Sequence, residues 1–192
     1  SLGKDLGLHF RVHQATWAGE SAREIPGDFV ELGVGTGFTM SCVMEYLDWW
    51  EDSGKRLWLV DTFVPYQVDK KTGLQPSSAL KVPTYSESLE HTKENFSSHR
   101  NVKFVQGRIP DCLDGVHAEA ISFIHIDLNQ AEPEVQGLKR LWPRLSKGAL
   151  ILLDDYGFPN RADQHDAMDK LGNELDFRIL TLPTGQGIAV KR

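Results

Sequence analysis

The segment Asp28-Phe-Val-Glu-Leu-Gly-Val-Gly-Thr-Gly-Phe38 constrains the fold of this chain more than any other. Phe29, Val30, Leu32 and Val34 read as a buried strand, Gly33, Gly35 and Gly37 alternate through a tight turn, and an apolar helix begins at Phe38. A strand that turns through glycines into a helix aims backbone N–H groups at one point, and the missing Cβ atoms let a ligand lie against the main chain. A nucleotide-like ligand is the first expectation. The dinucleotide fingerprint G-x-G-x-x-G would place its third glycine at position 38, where Phe38 stands.

The 192 residues fit a single domain spanning 1–192, large enough for a continuous core without staples. The net charge of -6, from 27 acidic and 21 basic residues, argues against a nucleic-acid partner, which would call for a basic face. No apolar run reaches the roughly 18 residues of a membrane span. The start, Ser1-Leu2-Gly3-Lys4, lacks the apolar core of a signal peptide, and Cys42 and Cys112 sit in no metal or redox spacing. The expected compartment is the cytoplasm.

Further elements follow in order. Residues 1–26 form an N-terminal helical segment, apolar at Leu6, Phe10, Val12, Ala15 and Trp17, that ends before Pro26-Gly27. A helix from Phe38 to about Trp50 is apolar on most sides, with Trp49 and Trp50 as packing groups. Arg56 to Asp61 is a second strand ending in a carboxylate, placed either to receive ribose hydroxyls or to turn the chain. Residues 62–84 carry Pro65, Gly73, Pro76 and Pro83 without periodicity, and a loop of that length predicts a lid. A polar helix from Tyr85 to His99 leads to a third strand, Val102 to Gly107, followed by the turn Arg108-Ile109-Pro110. Ala120 to Asp127 is a strand covered on both faces, with His125 as a buried, hydrogen-bonded histidine. A helix from Glu132 to Leu145 carries one apolar stripe, Gly148 to Asp155 is a fifth strand, and a helix follows from Arg161 to Leu175. Phe177 to Leu182 and Gly187 to Val190 close the chain as a hairpin.

Strands alternating with helices predict an α/β, Rossmann-like doubly wound sheet, mostly parallel, with ligands bound beyond the carboxyl ends of its strands. Glu31, Asp61, Asp127, Asp154 and Asp155 all come to that edge. Clustered carboxylates repel unless a cation lies among them, and oxygen-only ligands suit a hard divalent ion such as Mg2+. Asp154 and Asp155 equally suit a solvated turn before Tyr156-Gly157.

The pattern Glu31-x-Gly33-x-Gly35-x-Gly37 resembles the first motif of class I S-adenosylmethionine-dependent methyltransferases. The runs His125-Ile-Asp127-Leu-Asn-Gln-Ala-Glu-Pro-Glu-Val, Leu141-Trp-Pro-Arg-Leu-Ser-Lys-Gly148 and Leu153-Asp154-Asp155-Tyr-Gly157 look like the macrocin O-methyltransferase family, over roughly residues 27 to 190. The resemblance implies a magnesium-dependent O-methyltransferase whose last strand is antiparallel. It places S-adenosylmethionine against Glu31, Gly33, Gly35, Thr36 and Gly37, with Asp61 and Thr62 at the ribose and Gly107, Arg108 and Ile109 at the adenine. It gives the metal to Asp127, Asp154 and Asp155. The acceptor proton would pass to Asp127 or to His165, itself also readable as an exposed helix histidine. Catechol-type relatives carry a lysine base three residues after the first metal aspartate, where this chain has Gln130. The expected partner is a small hydroxylated molecule (sugar, polyketide or catechol-like), with no nucleic acid and no membrane, and a homodimer is admitted. The alternatives are a nicotinamide oxidoreductase and a non-catalytic S-adenosylmethionine-binding module.

Overall fold

The computed structural model describes residues 8–64 and 88–192. Most of the expected lid, the first residues of the helix expected from Tyr85, and residues 1–7 lie outside the described residues.

The sheet grows outward from the glycine-bearing strand. β1 (Asp28–Leu32) pairs in parallel with β2 (Leu57–Asp61) on one side and β4 (Ile121–Ile126) on the other. β3 (Val102–Gln106) extends the β2 side, and β5 (Leu145–Leu153) extends the β4 side, both parallel. β7 (Gly187–Val190) then runs antiparallel to β5 and to β6 (Ile179–Thr181), giving the order β3-β2-β1-β4-β5-β7-β6. The chain reverses its direction of growth between β1 and β4, and in open α/β sheets ligands bind at such a switch point, beyond the carboxyl ends of the strands.

Alternation along the strands assigns two covered faces. Val30, Leu32, Ile124, Ile126, Ile151 and Leu153 face α4 (Ala131–Leu141) and α5 (Ala162–Leu175). Phe29, Leu57, Leu59, Phe123, Leu150 and Leu152 pack with Ala15 and Ala18 of α1 (Leu8–Ser21), with Ala22 just after it, and with Met40, Val43 and Met44 of α2 (Phe38–Tyr46). Small residues on α1 let it lie close, and Trp49 and Trp50 are buried beneath it against Phe29. α3 (Leu89–Asn95) starts at Ser88, whose hydroxyl accepts from the His91 amide as a helix cap.

The helix expected from Phe38 to about Trp50 ends at Tyr46, with a separate short turn at Trp50–Asp52, and two further boundaries differ for identifiable reasons. The helix expected to reach Leu145 ends at Leu141, because Pro143 has no amide proton to continue the ladder. Trp142 and Leu145 stay on the apolar side all the same, and Lys191 donates to both of their freed carbonyls, at 2.8 and 2.7 Å. β5 begins three residues before the expected Gly148, which sits at φ 86° where the register against β4 shifts. No helix among the described residues is long and apolar enough to cross a membrane.

Candidate active site at the carboxyl edge of the sheet

The three glycines of the turn do different work. A Cβ on Gly33 would stand 1.9 Å from the Asp127 carbonyl oxygen, so this position lets the turn cross the end of β4. A Cβ on Gly37 would meet the Phe96 ring at 2.4 Å, so this one seats α3 against α2. Around Gly35, no atom of the other described residues, its two chain neighbours aside, lies within 4 Å of where a Cβ would be. The turn therefore has its open side at Gly35, with filled contacts before and after it.

Asp61 braces that turn from the tip of β2. Its Oδ2 accepts from the Val34 and Gly35 amides at 2.6 and 2.9 Å, and its Oδ1 from the Phe63 amide and the Thr62 hydroxyl at 3.0 and 3.1 Å. Those donors occupy the acceptor positions of a carboxylate, so the group expected to meet ribose is also the clasp that shapes the turn. On the other flank, Thr92 donates to the Gly35 carbonyl and Asn95 to the Thr36 carbonyl, at 3.2 and 2.8 Å. Gly107 donates its amide to the Asp61 carbonyl, which puts the turn after β3 at the same edge of the sheet; Arg108 there is exposed, while Ile109 packs toward Leu32 and α4.

Glu31 departs from the expected place at the rim. It shares strand parity with Phe29, so it points under α1 and α2, where it is 2% exposed and its Oε1 lies 2.9 Å from His125 Nδ1. His125, in register with it on β4, lies with its Nε2 3.6 Å from Asp154 Oδ1, an ion-pair distance beyond hydrogen-bond reach. Gln186, fully buried beside β7, donates to the same Asp154 oxygen at 2.9 Å. A polar row, Glu31–His125–Asp154–Gln186, thus crosses four neighbouring strands inside an apolar layer. Burial alone would discharge His125, but the nearby charges of Asp154 and Glu31, with the Glu31 hydrogen bond, raise it to about 10, which favours the imidazolium at neutral pH. Burial would likewise raise Asp154, and His125 together with Arg11 holds it instead at about 2.

The carboxylates expected together are together. Asp127 follows β4 and Asp154 follows β5, at adjacent strand ends tied by the Asp154 amide to the Ile126 carbonyl, 2.9 Å. Loss of hydration, with the Asp154 and Asp155 charges, raises Asp127 well above an ordinary aspartate. Asp155 is raised by burial and by Asp154, against the pull of Arg11 and Arg161. The loop after Asp127 is held by Leu128 N to Glu134 and by Arg161 to Asn129, whose amide group returns to Asp127 at 3.0 Å.

A residue from the far end of the chain supplies the positive charge. Arg11 on α1 donates through Nε to Asp154 Oδ1 at 3.2 Å, through Nη2 to Asp154 Oδ2 and carbonyl, and to Asp155 Oδ1 at 3.1 Å. Its guanidinium stacks over Phe158, 5.3 Å from the ring centre. Burial works to discharge it, and Asp154, Asp127 and Asp155 outweigh that. The expected magnesium set is oxygen-only and suits a hard cation in kind. In the arrangement present its oxygens are turned to Arg11, Gln186, Arg161 and Asn129, and among the described residues no group of three His, Cys, Asp or Glu side chains is disposed to hold a metal. His165, the other expected proton acceptor, stacks on Tyr156 at 4.3 Å; its Nδ1 lies 3.2 Å from the Tyr156 carbonyl and its Nε2 3.5 Å from Asp169.

Arg11 and Gln186 are the members of this site that sequence reasoning missed. Gln186 carried a signal: a polar side chain between two glycines of a hairpin abutting a buried strand. Arg11 carried none beyond being the one arginine of a weakly patterned helix.

Strand order, the reversed β7 and a glycine turn facing an acidic rim define the class I methyltransferase fold. Solved structures agree: the O-methyltransferase NovP superposes with a TM-score of 0.77 over 94% of this chain and 79% of that one at 21% identity. The calicheamicin methyltransferase CalS11 gives 0.74 over 95% and 79% at 18% identity. Residues 11–175 match the Macrocin-O-methyltransferase (TylF) family, and the chain belongs to it.

Among curated relatives, the 8-demethyl-8-(2,3-dimethoxy-alpha-L-rhamnosyl)-tetracenomycin-C 4'-O-methyltransferase of Streptomyces olivaceus is 30% identical over 162 residues, 77% of this chain and 60% of the relative. The mycinamicin III 3''-O-methyltransferase of Micromonospora griseorubida is 26% identical over 77% of this chain and 63% of its own length. The chain thus spans about three fifths of the length of the relatives it matches.

Proposed function

We propose that this chain carries the S-adenosylmethionine-dependent transfer of a methyl group to a hydroxyl oxygen of a small molecule, a sugar or polyketide hydroxyl before a catechol-like one. The observation that carries the reading is the open side of the turn at Gly35, clasped by Asp61 and set beside the carboxylates that end β4 and β5. The names of the two relatives, a 4'-O-methyltransferase and a 3''-O-methyltransferase, favour the oxygen acceptor.

S-adenosylmethionine supplies, when bound, a methyl group already activated on sulfur, so the protein's task is alignment of the acceptor. Gly33, Gly35, Thr36 and Gly37 would line the donor, with Asp61, Thr62 and the Gly107–Ile109 turn toward its nucleoside end. Glu31, turned inward to His125, would support the strand beneath. Asp127 is the preferred proton acceptor: its raised affinity for a proton matches the task, whereas both ring nitrogens of His165 already face oxygens. A divalent cation held by Asp127, Asp154 and Asp155 would, when bound, favour deprotonation of the acceptor hydroxyl.

A screen of hydroxylated acceptors with methyl-labelled S-adenosylmethionine, with and without added magnesium, tests the proposal. Label should appear on a hydroxyl oxygen, and Asp127→Asn should slow turnover by about 100-fold or more. Label on nitrogen, or undiminished turnover in Asp127→Asn, would overturn it.

A further inference from the structure

The two peptide groups at the tip of the glycine turn are held by their oxygens, and the holder is α3. Asn95 Nδ2 donates to the Thr36 carbonyl at 2.8 Å, and Thr92 Oγ1 to the Gly35 carbonyl at 3.2 Å. The Thr92 hydroxyl also lies 3.1 Å from the Ser88 carbonyl, so its one proton is divided between two acceptors, whereas the Asn95 amide has two hydrogens to give. Phe96, buried on the same helix, seats α3 on the turn, its ring standing 2.4 Å from where Gly37 would carry a Cβ.

Those bonds decide where the amides point. In a trans peptide the C=O and N–H groups face opposite ways, so drawing the Gly35 and Thr36 oxygens toward α3 turns the Thr36 and Gly37 amides away from it. The Val34 carbonyl takes the Gly37 amide at 2.8 Å, while among the described residues the Thr36 amide has no acceptor. Glycines on both sides of Thr36, at φ 55° and 80°, give these peptides little resistance of their own to flipping. A flip would present a carbonyl oxygen where an N–H now stands.

We propose that Asn95, supported by Thr92, is a positioning residue for the methyl donor: it fixes the peptides on either side of Thr36 so that the Thr36 amide stays available to an acceptor atom of S-adenosylmethionine. This rests on reading the turn as the donor site. Asn95 is exposed, so replacing it changes the hold on the turn and leaves the core alone.

The test is calorimetric titration with S-adenosylhomocysteine, the compound left after transfer, into the wild type, Asn95→Ala, Asn95→Asp, Asn95→Gln and, as an exposed control on the same helix, Lys93→Ala. Affinity should weaken about 3- to 10-fold in Asn95→Ala, the worth of one hydrogen bond, and at least as much in Asn95→Asp, whose carboxylate has no proton to donate. Asn95→Gln should recover part of the loss, Lys93→Ala should match the wild type, and all melting temperatures should stay within about 3 °C of the wild type. The Thr36 amide resonance of the wild type should shift as the ligand saturates. Asn95 variants that bind as tightly as the wild type, or a Thr36 resonance that does not move, would overturn the positioning role while leaving the donor site standing. Affinity lost equally in Lys93→Ala would do the same, since the effect would then belong to the helix as a whole. A wild type that does not bind the compound would overturn both.

Discussion

Replacing His125 with alanine is expected to destabilise the protein by about 3–5 kcal/mol, because it leaves Glu31 and Asp154 as buried carboxylates without the cation between them. Both acids are nearly inaccessible to water, and among the described residues Glu31 Oε2 has no hydrogen-bond partner. Water cannot take over from the lost imidazolium at this depth. Denaturant unfolding should show the midpoint fall with an unchanged slope, and His125→Gln should recover only part of the loss, since an amide supplies a donor without a charge.

The same group predicts a pH dependence. A histidine whose folded value is about 10 against about 6.5 unfolded contributes stability that is fully present below pH 6.5 and lost as pH rises through 10. Wild-type stability should therefore fall between those values more steeply than that of His125→Gln. Asp154, held at about 2, works the other way: its contribution is present above about pH 4 and lost as pH drops toward 2. A wild type and His125→Gln that fall in parallel from pH 6.5 to 10 would mean that the histidine is neutral in the folded protein.

The second large effect is at Gly33. An alanine there would put its Cβ 1.9 Å from the Asp127 carbonyl oxygen, in a backbone conformation with φ 84°. Backbone oxygen cannot swing aside as a side chain can, so β1 and the end of β4 would have to separate. Strain of that conformation and the overlap together should cost about 3 kcal/mol or more, and the displaced Asp127 should disturb the acidic rim as well. Gly35→Ala meets no neighbouring atom among the described residues and should cost about 1–2 kcal/mol from its φ of 55° alone. Melting curves of the two variants should differ accordingly; equal losses would mean that the turn is not packed as described.

Much of this architecture is legible in the residues themselves. β4 and the second half of β5, residues 149–153, are nearly continuous apolar runs, which a sheet covered on both sides accommodates, and each stops at an acid that marks its carboxyl end. The meeting of Asp127 with Asp154 follows from that, since parallel neighbours end at the same edge. Glu31 could have been placed by parity, being two residues from Phe29 and in a strand where every second residue lies under α1 and α2. Arg11 could not: its bond to Asp154 joins residues 143 apart, and nothing in a helix's own pattern says which sheet edge it will cross. The clasp made by Asp61 was hidden for a related reason, because three of its four donors are backbone amides, which leave no trace in side-chain identity.

Calorimetric titration with S-adenosylhomocysteine, the product form of the donor, tests the central claim most directly. The turn described here predicts saturable binding by the wild type and affinity weakened on the order of tenfold, about 1.4 kcal/mol, in a folded Gly35→Ala, whose added methyl group would enter the open side of the turn. Binding of a nicotinamide dinucleotide in place of the homocysteine compound, or a Gly35→Ala that binds as tightly as the wild type, would contradict it.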